Sequence, residues 1–569
     1  MTLKFPDLPV VNVGTKENPV YLPPEFLEVV PGQSSLKKLG PDQTAEMIRF
    51  ACRKPFLNAG SITDGSPSVL SLNNSLLTSF GVNVNLKMIT VPGRILNAPT
   101  LKYGDGGSEN PRFGSWNMAR VRFTTGARLP PAWTCLWIKR ARKPGNVERH
   151  GLLETIVSQF AEMMRKCGLQ VPSPTPGPAI FLDNQESPTT NDDEIKNIMQ
   201  KIRDRGISFV FVLLPDTEAA VYNQVKYCGD VLFGLHTVCA VDNKVSKDKG
   251  RDQYLANVSL KVNTKLFGVN QSLDMPKLGI IAEGKTMVVG IDVTHPSPGS
   301  LSNAPSIAAM VASTDRTLSQ FPCDLNIQTG RVEMVQDIGQ MMKSRLELWR
   351  AKNKALPENI LVYRDGVSEG QYALLQTIEI PAMKAACNAL YPADQKKKGL
   401  PKFSVIVVGK RHHTRFYATI DKEMDRSGNP NNGTVVDRGM TSMWNWDFYL
   451  QAHACLQGTA KPAHYYVVLD EIFGKGSLKK PHPFPNAADS LEDLTHNMCY
   501  LFTRATKAVS VCPPAYYADL VCERARCYLS GVFDPVTPAG STTTGSTQPT
   551  ISRSQITTHA NLKDTMFYI

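Results

Sequence analysis

The chain opens without a sustained period and then settles into apolar runs alternating with amphipathic stretches. Its first 130 residues read as a small mixed segment and a connector. YLPPEFLEVVPGQ holds strand-like runs broken by Pro and Gly, and Gln43 to Lys54 carries Ala45, Ile48 and Ala51 at helical spacing. From Trp133 the pattern changes. Ala132 to Ile138 predicts a strand, Leu152 to Cys167 a helix, ISFVFVLLP a buried strand, Thr217 to Tyr227 a helix and GLHTVCAV another strand. Strands that are apolar throughout and alternate with helices predict a parallel, helix-covered sheet. A second such system starts at TMVVGIDVTHP and runs through SIAAMVAST (strand), MVQDIGQMMKSRLELWRAK (helix) and NILVYRD (strand). FSVIVVGKRHH, AHYYVVLDE and a helix over Leu491 to Thr503 follow. Residues 537 to 559 are Ser/Thr/Gly-rich and without acid, which predicts a disordered surface loop. The fold class is therefore two α/β units in tandem behind a short mixed α/β N-terminal segment.

Composition narrows the function classes. At 569 residues and 42% hydrophobic, the chain has length for three to four domains at about 150 residues each and is too apolar to be mostly disordered. The twelve cysteines are scattered, with no CxxC pair, so neither a zinc ribbon nor a thioredoxin motif is indicated and reduced thiols are expected. The N-terminus lacks the basic start and apolar run of a signal peptide, and no apolar run approaches the roughly 20 residues that span a bilayer. A soluble, cytoplasmic protein is the expectation, with nuclear entry open and no membrane partner. Lys plus Arg is 63 against 51 for Asp plus Glu, a net +12 that favours a polyanionic partner.

Two aspartates end apolar strands, Asp292 in MVVGID and Asp365 in NILVYRD. Parallel strands gather their carboxyl ends at one edge, where ligands bind. Carboxylates there, without a phosphate-binding glycine loop, suit Mg²⁺ held by oxygen, and a pair of such ions can activate water against a phosphodiester. An Asp after a strand equally serves to cap the following turn.

These residues also carry a family resemblance. GIDVTHP (290–296), YRDGVSEGQ (363–371), GKRHHTRFY (409–417) and PPAYYADLVCERARCYL (513–529) closely resemble the PIWI domain of eukaryotic Argonaute proteins, the fungal ones above all. VYNQVKYCGD (221–230) and SLKVNTKLFGVN (259–270) resemble the Argonaute MID domain, and YLPPEFLEVVPGQ the end of PAZ. The resemblance implies the end of a PAZ-like region at 1–40, linker 2 at 41–130, a Rossmann-like MID domain at 131–272 and an RNase H-like PIWI domain at 273–569. The N domain, first linker and most of PAZ would then lie outside this chain, and guide 3′-end anchoring with them.

The family further implies a small-RNA-guided silencing effector. Asp292, Glu333 (in GRVEMVQD), Asp365 and Asp519 (in AYYADL) match its catalytic acids. Asp292, Asp365 and Asp519 would hold two Mg²⁺ or Mn²⁺ ions for cleavage of a complementary target RNA, giving 5′-phosphate and 3′-hydroxyl ends. Asp519 stands where many animal Argonautes have His; it is a hard oxygen ligand and keeps the set plausible. Glu333 read by itself is a first-turn helix acid. His295 and the His412–His413 pair read as polar and backbone-contact residues rather than a zinc site.

Tyr222 and Lys226 are four apart, as are Lys261 and Lys265, so on helices each pair shares a face. Such lysines are ordinarily solvated surface. The resemblance assigns Tyr222, Lys226, Cys239, Lys261, Lys265 and Arg524 to the guide's 5′-phosphate and first base, and Lys410, Arg411, Arg415, Arg504 and Lys507 to its backbone. Val238 departs from the family, which commonly has a phosphate-bonding glutamine there. The partners implied are a 5′-phosphorylated guide RNA and its complementary target, with silencing-complex proteins beside them. The alternatives are a guide-binding silencing module that does not cut and a guide-independent RNase H-like nuclease.

Overall fold

The computed structural model describes residues 3–15, 18–32, 39–72, 74–183, 188–474, 486–534 and 551–569. Near the N-terminus two short strands, Val11–Asn12 and Tyr21–Leu22, pair with each other, and the helix expected over Gln43–Lys54 runs Pro41–Ala51.

The first large unit is a four-stranded, wholly parallel sheet built from β1 (Trp133–Arg140), β2 (Ala179–Leu182), β3 (Phe209–Leu214) and β4 (His236–Val241) in the order β2-β1-β3-β4. Its helices are α1 (Leu153–Lys166), α2 (Pro188–Asp204), α3 (Ala219–Tyr227) and α4 (Arg251–Lys265). All six residues of β3 are buried because both faces are covered. Phe209, Phe211 and Leu213 pack with Phe160 of α1 and Val258 of α4, while Val210, Val212 and Leu214 pack with Ile195 of α2 and Val225 of α3. That two-residue alternation between opposite cores is the strand period read out in packing. This is the parallel, helix-covered sheet the pattern predicts, in the Rossmann-like form the resemblance implies.

The second unit is built on β5 (Thr286–Thr294), β6 (Ser306–Ala312), β7 (Cys323–Gln328), β8 (Asn359–Asp365), β9 (Lys402–Gly409), β10 (Thr434–Val436), β11 (Trp446–Gln451) and β12 (Ala463–Asp470). The order is β7-β6-β5-β8-β9-β12-β11-β10, with Arg94–Ile95 pairing onto β10 as a ninth strand. Only β5, β8 and β9 are mutually parallel; the flanks are antiparallel. The expectation of a parallel sheet thus holds for the centre alone. The β5–β6 connection, residues 295–305, is shorter than the crossover of about a dozen or more residues that a parallel neighbour requires.

Helices α5 (Ile338–Asn353) and α6 (Ile380–Leu390) cover one face, where Met341, Leu346 and Met383 pack on Val289 and Ile291. Helix α7 (Ala487–Met498) begins at Asn486, whose side chain accepts from the Asp489 N–H, so it starts and ends earlier than expected. Helix α8 (Pro513–Tyr528) crosses the opposite face. It lies so close to β5 that a Cβ at Gly290 would sit 1.9 Å from the Pro514 carbonyl oxygen. Glycine at 290 therefore sets the distance between β5 and α8.

Part of the expected surface loop is ordered. Residues 537–550 lie outside the described residues, but Arg553–Gln555 forms a 3₁₀ turn, Ile556 is fully buried and the His559 N–H donates to the Asp230 carbonyl at 2.9 Å. Two isoleucines, Ile551 and Ile556, pack on the core and anchor a segment that its average composition disguises.

Candidate functional site

Two clusters of polar side chains meet across α8. The first lies at the carboxyl ends of the central strands. Asp292 sits on β5 and Asp365 ends the parallel neighbour β8, at matching height because Ile291 pairs with Arg364. Asp519, in the second turn of α8, faces them, since the Asp292 charge raises the proton affinity of both other aspartates. Burial is the larger cause: it and Asp292 push Asp365 up to about 7, while burial, Asp292 and Glu523 push Asp519 up to about 6. Asp292 is itself raised by burial, against the opposing charge of Arg364.

Glu333 reaches the same place from the loop between β7 and α5. It lies ahead of α5, not in its first turn as its own sequence context suggests. A Cβ at Gly366, which has φ +88°, would stand 3.0 Å from Glu333 Oε1 and 3.2 Å from Asp292 Oδ1. Glycine at 366 thus leaves room for two carboxylates to approach one spot. Arg364, fully buried, donates to Glu333 Oε1 at 2.9 Å and to its carbonyl at 2.7 Å. His295 bridges Glu333 Oε2 at 2.8 Å and Ser306 Oγ at 2.7 Å, the polar role expected of it.

Four carboxylates in partly desolvated surroundings form a hard-oxygen donor set, which suits a divalent cation in chemistry. Among the described residues, however, no three His, Cys, Asp or Glu side chains are gathered closely enough to hold a metal ion between them. The grouping of Asp292, Asp365 and Asp519 as ligands is to that extent looser than expected: the three lie within electrostatic reach of one another without closing on one point.

The second cluster encloses a cavity of about 140 Å³ between α3, β4 and α4 on one side and α8 on the other. Tyr222, Lys226, Cys239, Lys261, Arg504 and Arg524 all line it. Lys226 donates to the Thr237 carbonyl at 3.0 Å and to its hydroxyl at 2.8 Å, and lies 5.3 Å over the Tyr222 ring. Burial first, then Arg504 and Lys226, push the Lys261 ammonium down to about 8. Arg524 is held by Asp230 at 2.8 Å, the Phe567 carbonyl at 3.1 Å and the Tyr568 carbonyl at 3.0 Å. Four cationic side chains thus line the space against one acidic side chain, Glu523.

A family model for the Piwi domain matches residues 209–530, and one for the Argonaute linker 2 domain matches residues 57–103. The chain belongs to the Argonaute family. It is 33% identical to rice protein argonaute MEL1 over 100% of this chain and 54% of that protein. The crystal structure of Kluyveromyces polysporus Argonaute with a guide RNA matches at TM-score 0.77 and 28% identity, covering 100% of this chain and 63% of the other. The C-terminal lobe of a budding yeast Argonaute matches at TM-score 0.69 and 28% identity, covering 84% and 95%. The chain spans about half the length of the curated relatives it matches.

The remaining expected residues of this Argonaute are distributed differently. Lys265 does not line the cavity: one turn beyond Lys261 on α4, it is buried and donates to the Phe567 carbonyl, behind the segment that walls the space. Arg504, expected along a guide backbone, instead lines the cavity. Lys410 donates to Ser510, Arg415 donates to the His412 and Thr414 carbonyls, and Arg411 and Lys507 are exposed. Val238 lines the cavity without a polar group, while Thr237 beside it engages Lys226.

Sequence reasoning passed over Asp230. It is 1% exposed and accepts from both Arg524 and Tyr528, each at 2.8 Å, which ties the first unit to α8. The available signal was an acid inside the apolar run CGDVLF, since a buried carboxylate needs a cationic or donor partner. Among the described residues no helix is long and apolar enough to cross a membrane, and all twelve cysteines are free.

Proposed function

We propose that this Argonaute-family chain binds the 5′-phosphate of a small guide RNA in the cavity and cleaves a complementary target RNA at the four acids. The cavity carries the reading. Its four cations converge on a space roomy enough for a phosphate, with the Tyr222 ring alongside for a base to stack on. Lys261 supplies a point charge for the phosphate oxygens, while Arg524, whose terminal nitrogens are taken by Asp230, the Phe567 and Tyr568 carbonyls and the Tyr222 hydroxyl, adds its positive charge to the lining and anchors the Tyr222 ring. The match to an Argonaute solved with a guide RNA supports the same partner.

At the acids, Asp292, Asp365 and Asp519 would hold Mg²⁺, or Mn²⁺ in its place, and Glu333 would complete the set. Bound there, the metal would supply the means to activate a water and stabilise the leaving oxygen of a phosphodiester, for cleavage to 5′-phosphate and 3′-hydroxyl ends. Arg364 and His295 fix Glu333, and Arg411 lowers the proton affinity of Asp292 and Asp519, which favours their ionised form.

Affinity for 5′-phosphorylated against 5′-hydroxyl guide RNA tests the cavity. The phosphate is expected to add at least about tenfold, the worth of a charge-assisted hydrogen bond or more; equal affinities would contradict the reading. The preference has a pH signature. Phosphate stabilises the protonated Lys261, so binding raises its pKa; between about pH 7, where the phosphate is doubly charged, and about 8 affinity is full, and it declines as pH rises beyond that. Titrating guide affinity from pH 7 to about 9.5, with Lys261→Met as control, checks this; the variant should show a flatter profile.

A further inference from the structure

The loop Arg331–Gln336 presents Glu333, and buried side chains grip its backbone from two sides. From β7, Gln328 donates to the Val332 carbonyl at 2.7 Å and the Met334 carbonyl at 3.1 Å. From the other side comes Glu379, 1% exposed, which accepts from the Val335 N–H at 2.8 Å. The same carboxylate takes Arg364 by its fork, Nε to Oε2 and Nη2 to Oε1, each at 3.1 Å. Arg364 in turn holds the carbonyl and the side chain of Glu333.

One carboxylate therefore fixes both the loop that bears Glu333 and the guanidinium that aims it. Glu379 closes the π-turn Leu375–Glu379 immediately before α6. Such widened turns recur at functional sites because they displace one side chain from the regular helix position. Burying this acid is favourable only because every partner is present; removing its charge would leave Arg364 with Glu333 as its one hydrogen-bonded carboxylate in a dry site.

We infer that Glu379 is a positioning residue for target cleavage, acting through Arg364 and the Val335 backbone to hold Glu333 against Asp292. This rests on the proposed role of Glu333 at the cleavage site. Glu379→Gln preserves shape and removes the charge, and two measurements on the whole chain decide its effect. In hydrogen exchange, the 331–337 segment of the variant is expected to exchange about tenfold faster, while α4 keeps its protection. Unchanged protection at 331–337 would overturn the inference.

In single-turnover cleavage, E379Q is expected to slow the reaction at least about tenfold with guide affinity unchanged, yet to add nothing to E333A. An undiminished rate in E379Q, or a further tenfold loss in E333A/E379Q, would overturn it as well. A wild-type chain that does not cut, or an E333A variant that cuts normally, would instead strike at the reading of Glu333. The exchange comparison then decides by itself whether Glu379 holds the loop. If E379Q does not fold, Glu379→Asp carries the same comparison, since it keeps the negative charge in the site while drawing back the oxygen that both Val335 and Arg364 use.

Discussion

Asp292→Asn is expected to lower guide-directed cleavage by about a thousandfold while leaving guide affinity within about twofold of wild type. The size follows from what the change removes. Asp292 is the acid shared by the others' surroundings: Asp365 ends the neighbouring strand, Glu333 approaches the same spot beside Gly366, and the Asp292 charge acts on Asp519. Asparagine keeps the volume and one oxygen but withdraws the charge that a pair of divalent ions requires. If such ions bind there, several kcal/mol of transition-state stabilisation would go with them, and each 1.4 kcal/mol is about tenfold in rate. The cavity that would hold the guide uses none of these four acids, so the two effects are separable. Rates and dissociation constants measured on the same preparation check it.

Arg524→Gln is expected to do the reverse and more. It removes a cation from the cavity and strands Asp230, which is buried with Arg524 and Tyr528 as its side-chain partners. Breaking a buried pair on one side costs about 3–5 kcal/mol, so the melting temperature should fall together with the preference for 5′-phosphorylated guide. Adding Asp230→Asn should restore much of the melting temperature, because no uncompensated charge is left, without restoring the phosphate preference. Recovery of both would mean that Arg524 acts by stabilising the junction rather than by meeting the phosphate.

Much of this architecture is legible in the sequence because the central elements have strong periods. FVFVLL is apolar on both faces, as a covered strand must be, TMVVGIDVT carries Met287, Val289, Ile291 and Val293 on one face, and α1 shows one clean apolar stripe. What the sequence hides is long-range. The ninth strand, Arg94–Ile95, is two residues long and carries no pattern. Its arginine meets Asp437, Asp489 and Glu492 from distant parts of the chain. The antiparallel flanks follow from connection length, not from strand composition. Motif resemblance gathered Tyr222, Lys226, Cys239, Lys261 and Arg524 around what proves to be a single cavity, yet it also included Lys265, whose burial behind Phe567 depends on a segment 302 residues away. Asp230 and Glu379 were passed over for the same reason, since their worth lies in partners that only folding supplies.

The most direct test of guided cleavage is register. A target RNA, end-labelled and in single-turnover conditions with Mg²⁺, is incubated with the chain loaded with a 5′-phosphorylated guide. The incubation is repeated with a guide of equal length whose pairing is displaced along the target by one nucleotide. If the cavity anchors the 5′ end and the acids cut at a fixed distance from it, one product forms and its end moves by one nucleotide with the guide. A cut that stays in place, or appears without guide, would contradict the account and mark an RNase H-like nuclease that ignores the guide; a bound guide with no cut would mark a module that binds without slicing.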